Sequence, residues 1–165
     1  MYAMESINPV NSAEAVQITH PYNPAKGGLQ NLIQHLAQPL LPLAVRNNSF
    51  LVNDVAPHLG LYGDKNAVSR VIDGILRSVV NNARESCIRI SARELYSNMI
   101  EILVKDSNSF NTYAVACSLQ DIVPLAQQAG GQLDIMNQRQ RITTIVFRFP
   151  IHRLDAGNLA EAKMC

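Results

Sequence analysis

The sequence predicts an α+β protein: a two-layer sandwich in which three helices cover a mixed, mostly antiparallel sheet. Three observations predict it. Across residues 64–86, Val68, Val71, Ile72, Ile75, Leu76, Val79, Val80 and Ala83 step alternately by three and one, which is one broad apolar face of a long α-helix. After Ser86 the apolar period changes to two: Ile88, Ile90 and Ala92, then Ile100, Ile102 and Val104, alternate with polar side chains. The order strand, helix, strand, helix, hairpin, loop, helix, hairpin then supplies long helices to cover a single sheet.

The composition sets limits on function. The 165 residues suffice for one domain with a core, and 47% apolar against 16% charged residues describe a globular chain. A net charge of +1 predicts no general affinity for nucleic acid. No apolar run reaches the roughly 20 residues of a membrane span, and the N-terminus lacks a signal-peptide pattern. Neither a disulfide framework nor a zinc site fits the three cysteines Cys87, Cys117 and Cys165. The expected location is cytoplasmic.

Residues 1–14 are expected to form a flexible N-terminal arm, 15–152 the domain, and 153–165 a C-terminal tail of helix-forming composition. Residues 15–20 read as a short strand, ended by turn chemistry at PYNPAKGG. From Leu29 to Leu43 apolar residues recur at helical spacing, but Pro39 and Pro42 predict a kink or restart near Pro39. Asn47-Asn48 closes that helix, and 50–54 reads as a strand. Asp64 stands at the N-cap of the long helix. Residues 88–92 and 100–104 pair as an antiparallel hairpin. A polar loop at 106–112 leads to a helix that stops at Gly130-Gly131. Pro124 is acceptable in that helix only in its first turn, so a start capped by Asp121 is expected. Strands at 132–136 and 142–149 follow, joined by NQRQR.

The candidate functional residues lie mostly on the polar face of the long helix: Arg70, Gly74, Arg77, Asn81 and Arg84. A solvated face is the ordinary reading of such a stripe, with Asp73 pairing Arg70 or Arg77. The alternative is an anion site. Asp106, at the end of a buried-looking strand, is either a turn former or a recognition group. His35 reads as an ordinary helix residue. His20, His58 and His152 lack metal-ligand spacing, and Cys117 reads as a small buried thiol rather than a nucleophile.

Four places together resemble a known family. LYGDKNAVSRVIDGILRSVVNNARES is similar to the segment of Asp, long helix and Asn-containing box in the catalytic, ATP-binding domain of sensor histidine kinases, within the group that includes gyrase and heat-shock chaperone ATPases. VKDSNSF resembles that domain's first glycine box, ACSLQDIVPLAQQAGGQLDI its second box and helix, and RITTIVFRFP its closing strand. The resemblance covers about 29–150 and implies the histidine-kinase ATPase fold. By resemblance Asn81 holds Mg²⁺ and phosphates, Arg84 contacts phosphate, Asp106 binds the adenine amino group, Ser118 lies in the phosphate box, and Arg77 stands at the position that assists chemistry.

The sequence departs from that pattern where the glycines should be. Asn108 and Phe110 occupy the first box, and Ala116 and Ser118 the second. Glycines there let backbone N–H groups approach phosphate. The resemblance therefore implies a diverged ATPase domain in two-component signalling, with weak or lost binding of ATP and Mg²⁺. Its role would be docking to a histidine kinase, phosphotransfer domain or response regulator. The alternative is an active catalytic domain that phosphorylates a histidine on a partner. The sequence leaves enzymatic activity open.

Overall fold

The structure, a computed structural model, describes residues 28–96, 98–138 and 141–151. The expected arm at 1–14, strand at 15–20 and tail at 153–165 lie outside the described residues. Helix α1 (Leu29–Ala37) passes through a 3₁₀ turn (Gln38–Leu40) into α2 (Leu41–Arg46). The break falls where Pro39 removes a helical N–H, as the sequence predicts. Strand β1 (Phe50–Asn53) and helix α3 (Lys65–Asn82) follow, then the hairpin β2 (Cys87–Leu95) and β3 (Met99–Asp106). Helices α4 (Thr112–Leu119) and α5 (Val123–Gln128) precede the last hairpin, β4 (Gln132–Gln138) and β5 (Ile142–Pro150).

The five strands form one sheet in the order β1-β2-β3-β5-β4. Only β1–β2 is parallel; the other three pairings are antiparallel. Register puts Ile88, Ile90, Ile100, Ile102, Val104, Ile145, Phe147 and Phe149 on one face, all in the core. Helix α3 is the central element of the covering layer, touching α1, α2, α4 and α5. Its eight predicted apolar residues are all buried. The Asp64 side chain caps it by accepting from the Ala67 N–H at 3.0 Å. The helix is shorter than the 64–86 pattern: Ala83 is already extended and Glu85 has φ +49°.

Two helices stand here: the helix expected from an Asp121 cap to Gly130 is α5, with Ile122 rather than Asp121 at its N-cap, and α4 precedes it. The Asn111 side chain caps the first, accepting from the Ala114 N–H at 2.9 Å. Pro124 opens the second within its first turn. Gly130, at φ +71°, closes it in the left-handed conformation that glycine tolerates best.

The opposite sheet face carries a charge ladder. Glu101, whose side chain is only 3% exposed, takes Arg93 on one carboxylate oxygen at 2.6 Å and Arg148 on the other at 2.6 Å. Arg148 reaches on to Asp134 at 3.1 Å. Burial pushes the Glu101 carboxyl up, but the hydrogen bonds and charges of Arg148 and Arg93 together outweigh it and hold the group below its ordinary value. The ionised form therefore stabilises the fold fully above the unfolded pKa, and that contribution is lost as pH falls through the lower, folded pKa. The stability difference between wild type and Glu101→Gln, measured by urea denaturation, is expected to be constant above about pH 5 and to shrink below about pH 4. A pH-independent difference would count against the ladder.

Candidate functional site

The site forms where the C-terminal half of α3, the ends of β2 and β3, and α4 converge. Asp106 ends β3 and is 2% exposed. Its Oδ1 accepts from the Ser86 hydroxyl and from the Asn108 N–H, the latter at 3.0 Å. Its Oδ2 is buried with no hydrogen-bond partner among the described residues. Strand pairing sets Thr143 directly opposite Asp106, and the Thr143 and Thr112 hydroxyls lie 3.0 Å apart. The Ser107 hydroxyl accepts from the Cys87 N–H at 3.0 Å. The result is a small polar cluster of Ser86, Asp106, Ser107, Thr112 and Thr143 at one end of the sheet.

The loops around this cluster are tied to one another. Asn108 donates to the carbonyls of Arg84 and Glu85, at 3.1 and 3.3 Å. The Ser109 N–H donates to the Arg141 carbonyl at 2.6 Å. The Arg141 guanidinium stacks over the Phe110 ring, 4.5 Å from its centre. These bonds hold the loop 107–111 down and set the start of α4 beside α3.

Helix α4 packs Val115 and Leu119 into the core against α3. Opposite it, α3 presents small residues. The Ser78 hydroxyl reaches the Ser118 carbonyl at 3.5 Å. A Cβ at Gly74 would lie 2.4 Å from Ile122 Cδ1, so the absence of a side chain there permits the close approach. The line of α3 that meets α4 and the turn after it therefore includes Gly74 and Ser78, and its helical continuation is Asn82. The Asn82 side chain is half-buried and donates to the Ser78 carbonyl at 2.8 Å.

The residues singled out from the sequence are placed as follows. Asn81 is exposed, one position round from that line. Arg84 folds back on the end of α3, donating to the carbonyls of Asn81 and Ala83 at 3.2 and 2.6 Å. Arg77 is an exposed surface residue paired with Asp73 at 2.8 Å, and that pairing raises its pKa. Ser118 lies inside α4, where its hydroxyl donates to the Val115 carbonyl at 2.8 Å. Cys117 beside it is exposed rather than buried as expected, because α4 turns Val115 and Leu119 to the core instead. Asp106 is at the centre of the cluster, and Asn108 links it to Arg84. Arg77 and Ser118 thus bond to Asp73 and Val115, away from that cluster.

ATP and Mg²⁺ can be tested against these groups. At the adenine end the unpartnered Oδ2 of Asp106 is an acceptor of the right kind for an exocyclic amine, but it is buried in the protein, so a base would reach it only if the groups over it moved. The phosphate end does not fit. The first N–H groups of α4 are partly taken by the Asn111 side chain, and the Ser118 position offers a carbonyl toward Ser78 rather than a donor. Arg84 directs its guanidinium to backbone carbonyls. Among the described residues no group of three or more His, Cys, Asp or Glu side chains could hold a metal ion.

Reading the sequence missed Ser78, Asn82, Ser86, Thr112 and Thr143. A signal existed for two of them. Ser78 stands four residues after Gly74 and four before Asn82, so the three share one line on any helix. Thr143 could be found only through the β3–β5 register.

No family model and no curated protein sequence matches the chain. Solved structures do. AdeS, a histidine kinase of Acinetobacter baumannii, superposes with a TM-score of 0.61 at 8% identity, covering 77% of this chain and 66% of that one. Full-length ShkA in complex with AMPPNP gives 0.62 at 13% identity, covering 73% of this chain and 29% of that one. The catalytic domain of the histidine kinase ThkA, nucleotide-free, gives 0.58 at 15% identity, covering 74% and 92%. ThkA also matches in its complex with the response regulator TrrA, at a TM-score of 0.60. The chain thus spans just under two thirds of the AdeS structure and under a third of ShkA. No helix of the described residues is long and apolar enough to cross a membrane. The strand order, the central helix and these superpositions agree: the chain has the histidine kinase ATPase-like fold.

Proposed function

We propose that this chain is a histidine-kinase-like ATPase domain of two-component signalling whose nucleotide site is weakened or lost, and that it acts by docking a protein partner. That partner is a histidine kinase, a phosphotransfer domain or a response regulator. One observation carries the reading: α4 packs on α3 across Gly74 and Ser78, with a backbone carbonyl of the second glycine-box segment turned toward Ser78. Phosphoryl transfer depends on positioning and charge neutralisation around the phosphates. Those are the parts that this site has reduced: Arg84 turns one guanidinium nitrogen to backbone carbonyls, and the Asn111 side chain takes one of the first N–H groups of α4. The fold would survive as a shape for recognition, and the match to ThkA in complex with a response regulator makes a signalling protein the natural partner class.

A second reading is favoured by the unpartnered Oδ2 of Asp106. In it the chain binds ATP and Mg²⁺ through Asn81, Arg84 and Asp106, with Asn82 added by its half-buried place beside Ser78. It would then phosphorylate a histidine on a partner. When bound, Mg²⁺ would neutralise phosphate charge; this chain's own contribution would be to hold the base at Asp106 and Thr143.

Titration with AMPPNP and Mg²⁺, followed by thermal stability, separates the two. A site with Kd near 100 μM would add ~1.4 kcal/mol at about 1 mM ligand. The first reading expects no shift at several millimolar. A clear shift that Asn81→Ala or Asn82→Ala abolishes would overturn it.

A further inference from the structure

Residues 107–120 carry no charged side chain. Helix α4, at their centre, buries only Val115 and Leu119 in its own domain. A surface helix ordinarily turns charged or polar side chains to water on the face away from the core. Yet Phe110 is 56% and Tyr113 79% exposed, Cys117 is exposed, and Val123 continues the surface beyond the turn. Tyr113 and Cys117 stand one turn apart on the exposed side of the helix. The outward side of α4 is therefore an uncharged surface that exposes two aromatic rings and a thiol beside the polar Asn111, Ser118 and Gln120.

The two ends of this surface differ in charge. At the N-terminal end Arg141 lies over Phe110. At the C-terminal end Asp121 is exposed in the turn between α4 and α5. Neither has an ion-pair partner among the described residues. A surface with an uncharged middle, a cation at one end and an anion at the other is complementary to itself when turned end for end.

We propose that this face is the contact between two copies of this chain, with α4 antiparallel to α4 of the second copy across a two-fold axis. In that arrangement Tyr113, Cys117 and Phe110 bury one another's apolar surface. Arg141 of each copy meets Asp121 of the other, so both ion pairs form by symmetry. The uncharged middle meets its own image without like-charge repulsion. An eight-residue helix and its flanks present less than the ~800 Å² per partner of a standard stable complex. The association is correspondingly weak, with a Kd on the order of 10–100 μM.

Sedimentation velocity of the full chain from about 5 μM to 1 mM tests this. Wild type is expected to pass from monomer to dimer across that range. Asp121→Arg and Arg141→Glu, each placing like charges across the axis, are expected to weaken association at least tenfold. The double variant reverses both charges and is expected to return to within about threefold of wild type. Asp121→Asn and Arg141→Gln serve if a charge reversal fails to fold. In a Cys87→Ser, Cys165→Ser background, a short bis-maleimide is expected to join Cys117 to Cys117 in wild type and in the double swap, but poorly in either single variant. A chain that stays monomeric to 1 mM, or a dimer indifferent to the swaps, overturns the proposal. Binding of a different protein to this face by a chain that stays monomeric overturns it equally.

Discussion

Leu119→Ala is expected to lower stability by roughly 2–4 kcal/mol, the range for removing a buried leucine side chain from a packed site. Leu119 is 1% exposed at the end of α4 and belongs to the main core. It and Val115 are the only residues of α4 that are buried. The loss is therefore expected to fall unevenly. Hydrogen exchange of the amides in 112–119 should accelerate much more than that of α3, because the strands and α3 keep their other contacts. The experiment is chemical denaturation together with exchange. A cost below about 0.5 kcal/mol with unchanged exchange in α4 would mean that α4 is not held on α3 through this side chain. The same variant bears on function. If α4 alone blocks a competent phosphate site, loosening it should increase AMPPNP binding. If the donors are too few, as the proposed function holds, loosening α4 should bring no binding.

Much of the fold is legible because it rests on local periodicity. The apolar face of α3 reads directly from Val68 to Ala83, and every one of those side chains is buried. The break at Pro39 and the turn at Gly130 follow from backbone chemistry at single residues. The division of α4 from α5 was harder to read. The position of Pro124 excludes one continuous helix, but it does not say whether the residues before it are loop or another helix. Asn111, a side chain suited to an N-cap and followed by Thr112 to Leu119 without Gly or Pro, was the local sign that a helix begins there.

The candidate site is less legible because it depends on what meets across the fold. Asn81 and Asn82 are chemically identical neighbours. Which one turns toward the groove is decided by where α4 and Ile122 pack on Gly74 and Ser78, a contact between distant segments. The expected stripe of Arg70, Gly74, Arg77, Asn81 and Arg84 mixes the groove side with the outer side of the same helix. Asp106 was legible as a strand-end carboxylate. Its partners were not, because Ser86 and Thr143 arrive through the register of β3 with its two neighbours.

Asp106→Ala is expected to cost roughly 2–4 kcal/mol. It removes the acceptor for the Ser86 hydroxyl and for the Asn108 N–H at a site where Asp106 itself is almost fully buried. Leaving a buried donor without an acceptor costs about 1–3 kcal/mol each. Loss of the orphaned Oδ2 returns part of that, since a buried polar atom without a partner is itself unfavourable. Asp106→Asn separates the two effects. Its amide oxygen can keep both hydrogen bonds, while the nitrogen replaces an oxygen that has no partner in the protein, so the expected change is within about 1 kcal/mol. Urea denaturation of both variants measures the contrast, and equal costs would show that the Oδ1 bonds are not what the carboxylate contributes. The amide also replaces an acceptor with a donor at the one place suited to an exocyclic amine. Any stabilisation of wild type by AMPPNP and Mg²⁺ should therefore vanish in Asp106→Asn while the fold persists. If nucleotide stabilises both proteins equally, the adenine does not sit at Asp106, and the unpartnered oxygen must answer to something other than the base.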